Sequence, residues 1–170
     1  MTSDNSINDC PCQSGQTYAA CCAPLHQGDA VADSAEALMR SRYSAFALGG
    51  LGDYLLATWH DSASEKAQLD TAMLSKREVD WHGLEILDSR QQGDKARVEF
   101  RAHFSAPAPA PAGQPAVREC LQERSRFIRE SGRWFYLSGT LVPASASSTP
   151  SRNGSCPCGS GKKYKRCCAA

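Results

Sequence analysis

The sequence contains two copies of one cysteine-rich segment, CPCQSGQTYAACC at residues 10–22 and CPCGSGKKYKRCC at residues 156–168. Both copies follow C-P-C-x-S-G-x-x-Y-x-x-C-C, with eight residues between the second and third cysteines. Zinc takes four tetrahedral ligands, and thiolates are favoured among them. A turn at Ser-Gly lets each segment fold back on itself, so that its two cysteine pairs converge on one ion. We therefore predict two structural zinc ions, with these ligands: Cys10, Cys12, Cys21 and Cys22 for the first, and Cys156, Cys158, Cys167 and Cys168 for the second.

Other chemistries of paired thiols stay open at this point. The vicinal cysteines could form disulfides or a redox relay, and an iron–sulfur cluster is a further alternative, disfavoured because each segment is so short. His26 follows the first copy and could replace a cysteine as a ligand. Since four thiolates already complete a tetrahedral site, we interpret His26 as a surface histidine.

The two copies differ in charge. The first has no charged residue between its cysteines, whereas the second has four cations there. These cations could neutralise the negative charge of a four-thiolate zinc site, or they could contact phosphate or an acidic partner surface. The cations that we consider for partner binding are Lys162, Lys163, Lys165 and Arg166.

The rest of the composition is that of an ordinary globular protein. Hydrophobic residues make up 41% of the 170-residue chain, and the formal net charge is +1. The amino terminus is polar, and no apolar run approaches the roughly 18 residues that cross a bilayer. We therefore expect a cytoplasmic protein without membrane insertion, in a reducing compartment where cysteines bind metal more often than they form disulfides.

The repeated segments resemble the SEC-C motif, the zinc-binding tail of the SecA translocation ATPase. SecA closes its motif with Cys-His, whereas this chain closes both copies with Cys-Cys. The first copy also departs from the motif at Gln13, where glycine is usual. Because the SecA tail engages the export chaperone SecB and the ribosome, the resemblance implies a docking module that binds a protein partner or the ribosome.

The segment between the copies begins with helical periodicity. Residues 35–48 place their apolar side chains on one stripe, with Ser34 as a candidate N-cap and Gly49 at the end. Two further helices are predicted at residues 51–60 and 64–76. Arg42 lies within the apolar stripe, so it needs a carboxylate or backbone carbonyls as partners.

The pattern then changes to the alternation of strands. We predict strands at residues 79–88, 95–104, 117–129 and 133–141, with a Pro/Ala-rich loop between the second and third. Helices followed by a four-stranded antiparallel sheet indicate an α+β fold. The face of the sheet that points away from the helices would carry Lys95, Arg97, Arg101, Arg118, Arg124 and Arg126.

Glu123 shares the apolar face of the third predicted strand, as Arg42 shares that of the first helix. We expect these two residues to form an ion pair between helix and sheet, with a ligand pocket as the alternative. The candidate pocket residues are Arg42, Tyr43, Trp59, His60, Glu123 and Trp134.

Four segments, LMRSRYSAF, TWH, ERSRF and GRWFY, resemble the YchJ family. The resemblance implies a central domain similar to nuclear transport factor 2, in which a curved sheet wraps around helices to form a cone with an internal cavity. The expected organisation is a zinc knuckle at 1–29, a central domain at 30–142, a linker at 143–155 and a second knuckle at 156–170.

These observations favour a binding protein over an enzyme. The leading hypothesis is an adaptor that docks to a protein partner or the ribosome through its SEC-C motifs. The alternative is an enzyme or small-molecule binder that uses the central cavity, and redox or metal buffering by the thiols is a third. Nucleic-acid contact is less favoured, because a basic strand face is usually solvated.

Overall fold

The computed structural model describes residues 9–107 and 118–143. Its helices come first: α1 (Ala23–Gln27), α2 (Ala35–Leu48), α3 (Gly52–Ala57) and α4 (Thr71–Ser75), with 3-10 turns at Tyr18–Ala20 and Lys66–Gln68. The strands follow: β1 (Asp80–Gln92), β2 (Lys95–Ser105), β3 (Arg118–Glu130) and β4 (Arg133–Val142). They form one antiparallel sheet in the order β1-β2-β3-β4. The predicted α+β fold with a four-stranded antiparallel sheet is confirmed.

Helix α2 has the bounds that the sequence predicts. The Ser34 hydroxyl accepts a hydrogen bond from the backbone N–H of Ala37 at 3.1 Å, which caps the first turn. The helix ends at Gly49, whose φ of +73° suits glycine. Because α2 contacts β1, β2 and β4, its side chains determine what fills the space between helix and sheet.

The sheet alternates as expected along β2. Ala96, Val98, Phe100 and Ala102 are buried, while the residues between them are exposed or half-buried. Strand β1 continues to Gln92, beyond the predicted end at residue 88, because it pairs with β2 up to the turn at Gly93.

The second predicted helix, at residues 51–60, is too long. Helix α3 ends at Ala57, and the chain then runs beside β4: the His60 N–H donates to the Tyr136 carbonyl at 2.8 Å, and the Tyr136 N–H donates to the Thr58 carbonyl at 2.9 Å. Hydrogen bonds to the open edge of the sheet replace those of a longer helix.

The third predicted helix, at residues 64–76, is also wrong in extent. Asp70 separates it into a 3-10 turn and α4, because its carboxylate accepts a hydrogen bond from the Met73 N–H at 2.7 Å and starts a new helix. Helix α1, just after the first cysteine segment, has no counterpart among the predicted helices.

One hydrophobic core extends from the first cysteine segment into the sheet. It joins Cys10, Cys12 and Cys22 to α2 residues such as Leu38 and to sheet residues such as Phe127. The knuckle and the central domain therefore share a core across residue 29, where the sequence suggests a boundary. Within the described residues, no helix has the length and apolar character that crossing a bilayer requires.

Candidate functional site

The cysteines of the first segment converge in the structure. The Sγ atoms of Cys10, Cys12, Cys21 and Cys22 all lie within 4.8 Å of one another. The Cys12–Cys21 and Cys21–Cys22 sulfur distances are 3.6 and 3.7 Å. A tetrahedral ion with metal–sulfur bonds of about 2.3 Å spaces its thiolates by about 3.8 Å, whereas a disulfide needs about 2.05 Å. The arrangement therefore fits one tetrahedral metal ion and not a pair of disulfides.

Local backbone structure brings the two cysteine pairs together. The Gln13 N–H donates to the Cys10 carbonyl and the Cys10 N–H donates to the Gln16 carbonyl, both at 2.9 Å, so the C-P-C pair sits in a tight turn. Gly15 has a φ of +81°, which suits the reversal at Ser-Gly. The chain then returns through the 3-10 turn, which delivers Cys21 and Cys22 to the start of α1.

Hydroxyl groups hold the thiols in place. The Ser44 hydroxyl donates to Sγ of Cys22 at 3.4 Å, and the Ser14 hydroxyl lies 3.2 Å from Sγ of Cys21. Hydrogen bonds from the thiols of Cys10 and Cys22 lower the pKa of Cys12, which favours a thiolate inside the cluster. A thiolate among hydrogen-bond donors is suited to bind a metal ion.

Ser44 contacts the cysteine site although its position in the sequence does not single it out. It is fully buried on α2 and lies 3.6 Å from Sγ of Cys10 as well. Neither Ser41 nor Ser44 falls within the apolar stripe of α2, so the helical pattern gives no signal for the burial of either residue. The structure gives them different partners, because the Ser41 hydroxyl contacts Tyr54 at 2.6 Å.

The first knuckle is also bonded to the body through its backbone and through Gln13. Arg40 donates from Nη1 to the Cys12 carbonyl at 3.0 Å. Gln13 donates from Nε2 to the His82 carbonyl and accepts at Oε1 from the Leu84 N–H, both at 3.3 Å. Gln13 has a φ of +57°, the conformation for which the motif usually has glycine. Its side chain thus provides a connection to β1 that glycine could not.

The interpretation of His26 as a surface histidine is wrong. Its ring is half-buried between the knuckle and α2. Nε2 lies 2.8 Å from the Ser41 carbonyl, which can only accept, so Nε2 carries the proton and Nδ1 accepts from the Tyr18 hydroxyl at 2.8 Å. Burial lowers the pKa of His26, which is therefore neutral and joins the knuckle to the helix.

The second cysteine segment lies outside the described residues. The predictions for its metal ligands and for its cations therefore stay predictions here: Cys156, Cys158, Cys167, Cys168, Lys162, Lys163, Lys165 and Arg166.

A cavity of about 200 Å³ lies between α2 and the sheet. Four of the six predicted pocket residues, Arg42, Tyr43, Trp59 and Glu123, line it. Its remaining lining residues are Met39, Phe46, Trp81, Phe100, Ala102, Leu121 and Tyr136. Tyr136 could have been found by strand parity, because it lies two residues from Trp134 on β4.

Arg42 and Glu123 do not form the predicted ion pair. Arg42 donates from Nη1 to the Leu55 carbonyl at 2.7 Å and to the Thr58 hydroxyl at 2.6 Å. The end of the short helix α3 leaves the Leu55 carbonyl without a helical partner, and a buried cation satisfies it. The guanidinium also lies 4.8 Å from the ring centroids of both Trp59 and Tyr136. Burial lowers the pKa of Arg42 to about 10, so it stays charged at neutral pH.

Glu123 has its own partners on the sheet. Its Oε1 atom accepts hydrogen bonds from the Ser125 hydroxyl at 2.6 Å and the Tyr136 hydroxyl at 3.1 Å. Burial, and then the Glu123 carboxylate, raises the pKa of Tyr136 far above its usual value, so that hydroxyl stays a donor. Tyr136 thus contacts Arg42 with its ring and Glu123 with its hydroxyl.

The other two predicted pocket residues lie elsewhere. His60 points away from the cavity, because its ring nitrogens lie 2.7 Å from the Ser62 hydroxyl and 3.1 Å from the Glu130 carboxylate. Trp134 is a core residue, only 3% exposed, against residues such as Leu38. Grouping them with Arg42 was wrong, because sequence position did not show which way each side chain turns.

The basic outer face of the sheet is partly neutralised. Arg97 pairs with Asp88 at 3.5 Å, and Arg124 pairs with Glu99 at 2.9 Å. These pairs are exposed on at least one side and contribute little to stability. Because acidic neighbours offset part of the charge, nucleic-acid contact stays the less favoured interpretation.

Comparison with known proteins agrees with this architecture. A UPF0225 protein of Sodalis glossinidius is 42% identical over 161 residues, which cover 94% of this chain and 96% of that protein. The solution structure of a SEC-C motif containing protein from Rhodopseudomonas palustris is 36% identical, with a TM-score of 0.64 over 78% of this chain and 98% of its own. A crystal structure of a SEC-C motif containing protein from Psychrobacter arcticus is 32% identical, with a TM-score of 0.59 over 96% and 97%.

Family models match three segments of the chain. Residues 8–24 and 152–170 match the SEC-C motif, and residues 34–139 match the model described as YchJ, middle NTF2-like domain. The middle-domain match spans more than half of the chain, and the relatives align over nearly their whole length. The chain therefore belongs to the YchJ (UPF0225) family, with a middle domain like nuclear transport factor 2 between two SEC-C motifs.

Proposed function

We propose that this protein is a cytoplasmic zinc-binding adaptor, in which the first SEC-C motif is part of the body and the second docks onto a protein partner or the ribosome. The observation that carries the proposal is the burial of the first four-cysteine site. Cys10, Cys12 and Cys22 are each at most 3% exposed and Cys21 is half-buried, so three of the four ligands of a metal ion there would be shielded from solvent. A site so enclosed stabilises the fold and is poorly placed to meet a partner.

Zinc is the metal that this site would favour. Four thiolates are typical ligands of structural zinc, and a complete set of protein ligands leaves no open position for a water or a substrate. The metal would supply folding free energy and no reaction chemistry. An iron–sulfur cluster places several ions between its cysteines, so sulfurs as close as 3.6 Å fit a single ion better.

The second copy carries its cations at positions whose counterparts in the first copy are exposed to solvent. In the pattern shared by the two copies, the four cations of the second copy take the places of Gln16, Thr17, Ala19 and Ala20. All four of these residues are exposed in the first copy. The second copy also has Gly159 in place of Gln13, so it lacks the amide that bonds the first copy to β1. These differences favour a basic module that is offered to an acidic or phosphate-bearing partner.

Cross-linked pull-downs from lysate, read by mass spectrometry, test the docking role. The intact protein is compared with a Cys156→Ser/Cys158→Ser variant, and a Cys120→Ser variant is the matched control because Cys120 is exposed and outside both motifs. We expect ribosomal or export proteins to be recovered with the intact protein and the control, and to be lost with the double variant.

A second variant separates the effect of the four cations from that of the metal ligands in the second motif. Replacing Lys162, Lys163, Lys165 and Arg166 by glutamine keeps all the cysteines, so we expect a full zinc content and a loss of partner recovery. Equal recovery from all variants would contradict the docking role and leave only a structural role for the second motif.

A further inference from the structure

The cavity between α2 and the sheet has the features of a built binding site. We propose that it binds a small, uncharged, planar molecule whose polar edge carries a hydrogen-bond acceptor beside a donor, as in an aromatic carboxamide or a lactam ring. This inference does not depend on the zinc sites or on the docking role.

The size and walls of the cavity fit a ring. A cavity of about 150 Å³ with apolar walls can hold a molecule of the size of benzene, so about 200 Å³ accommodates a ring with a small substituent. Aromatic side chains make up much of the wall, and they include Tyr43, Trp59, Trp81 and Tyr136. Such walls stack well on planar ligands, which gives affinity at little cost in conformational entropy.

The polar groups of the cavity have unused hydrogen-bonding capacity. The buried Nε1 atom of Trp59, which lines the cavity, has no hydrogen-bond partner within the described residues. Arg42 is 3% exposed and donates from Nη1 to the Leu55 carbonyl and the Thr58 hydroxyl. Glu123 is half-buried and receives its hydrogen bonds from Ser125 and Tyr136 at Oε1, which leaves Oε2 as an acceptor for a ligand. A buried donor without a partner costs free energy unless a ligand or water completes it.

The charges of the cavity decide which ligand is favoured. Among the described residues that line the cavity, only Arg42 and Glu123 carry formal charges, and these two charges cancel. A buried anionic or cationic ligand would leave one uncompensated charge in a medium of low dielectric constant, which is unfavourable. A neutral group can accept from the guanidinium and donate to the carboxylate at the same time.

The structure keeps these two charges apart. Tyr136 holds Glu123 with its hydroxyl and contacts Arg42 with its ring, and α3 holds the guanidinium from the other side. Gly139 leaves room for the Glu123–Tyr136 pair, because a Cβ atom at position 139 would overlap both side chains. An ion pair that served only to join helix to sheet would bring the two charges into contact.

An apolar groove adjoins the cavity on one side. An apolar groove of about 320 Å³ runs beside the cavity and shares Phe46, Trp81 and Leu121 with it. The groove reaches Met73, which is 49% exposed. A ligand could therefore enter past Leu121 with its apolar body in the groove and its polar edge toward Arg42.

Three probes of nearly the same shape test the proposal in the full-length zinc-loaded protein. Benzamide is neutral, benzoate is anionic and benzamidine is cationic. Binding is followed by tryptophan fluorescence, since Trp59 and Trp81 line the cavity, and by amide chemical shifts. We expect benzamide to bind with a Kd of about 1 mM, typical of so small a ligand, and roughly tenfold more tightly than the two charged probes.

A charge variant inverts the expected order. Glu123→Gln keeps an acceptor for Ser125 and Tyr136 but leaves the cavity with the single charge of Arg42, so benzoate should bind to this variant roughly tenfold more tightly than benzamide does. Glu85→Gln is the matched control, because Glu85 is exposed on β1 and does not line the cavity. Leu121→Trp narrows the shared wall and should weaken all three probes.

The proposal is overturned by any of three results. The first is that none of the three probes saturates the protein up to about 10 mM, well above the expected Kd. The second is that Glu123→Gln leaves the order of the three affinities unchanged. The third is that Leu121→Trp leaves the probe-induced changes in amide chemical shift unaffected. A protein that fails here but still recovers ribosomal or export proteins would keep its docking role and lose its cavity role.

Discussion

The Ser44 hydroxyl on α2 donates a hydrogen bond to Sγ of Cys22 at 3.4 Å, across 22 residues of sequence. Both groups are almost fully buried, and both belong to the environment of the same core. A side chain of the central domain therefore completes the surroundings of the first cysteine site. Binding of a metal ion at this site would therefore be coupled to folding of the domain.

Replacing Ser44 by alanine tests this coupling. We expect zinc affinity of the first site to fall about tenfold, because the hydrogen bond that orients and stabilises the Cys22 thiolate is lost. Competition with a chromogenic chelator measures the affinity. Ser41→Ala is the matched control: Ser41 is equally buried on α2, but its hydroxyl bonds to the Leu38 carbonyl and Tyr54. Equal losses of affinity in the two variants would show that Ser44 acts only through general stability.

Removing one ligand from each motif should have unequal effects on stability. Cys12→Ser and Cys158→Ser occupy the same position in the repeated pattern, and each should lower the zinc content by one ion per chain. We expect only Cys12→Ser to destabilise the body strongly, on the order of 3 kcal/mol, because Cys12 is fully buried in its core. Elemental analysis and urea unfolding measure the two quantities. An equally large loss of unfolding free energy in Cys158→Ser would contradict the expectation that only the first motif stabilises the body.

Gln13 combines an unfavourable backbone conformation with a favourable side chain. Gln13→Ala keeps the φ of +57° and loses both hydrogen bonds to β1, whereas Gln13→Gly loses the bonds and relieves the backbone. We expect the alanine variant to be less stable than the glycine variant by about 1 kcal/mol. Urea denaturation of the zinc-saturated proteins measures the difference, and a glycine variant no more stable than alanine would count against a left-handed Gln13.

The buried tyrosines predict a loss of stability in alkali. Burial raises the pKa of Tyr43 to about 12, and it also raises the pKa of Tyr54 and Tyr136. Unfolded tyrosines ionise near pH 10, so the stability that these groups contribute is present below that pH and is lost as the pH rises toward 12. Arg42 acts in the opposite sense over the same range, because its pKa is lowered.

A tyrosine-to-phenylalanine variant isolates this effect. Tyr43→Phe removes one ionisable group, so the decline of its unfolding free energy between about pH 10 and 12 should be smaller by on the order of 1–2 kcal/mol. Urea midpoints over that range, with tyrosinate absorbance recorded in parallel, provide the measurement. Declines of the same size in both proteins would exclude Tyr43 as a contributor.

Particular elements show how far sequence reasoning reached. Helix α2 and the alternation of β2 were predicted closely, because their periodic apolar residues reflect burial on one face. Helices α3 and α4 are shorter than predicted, because hydrogen bonds to the edge of β4 replace the last turn of α3 and a cap at Asp70 starts α4 later in the chain. Such competition between local and distant partners leaves no periodic signal in the sequence.

The sequence by itself determined the convergence of the first four cysteines and the α+β fold, since ligand spacing and apolar periodicity are local properties of the chain. Only the tertiary structure decided which side chains contact the cysteine site and line the cavity. It showed that Ser44 serves the cysteine site, that Arg42 bonds to the end of α3, and that Tyr136 lies between Arg42 and Glu123. These contacts join residues far apart in sequence, and their geometry depends on how the sheet packs against α2.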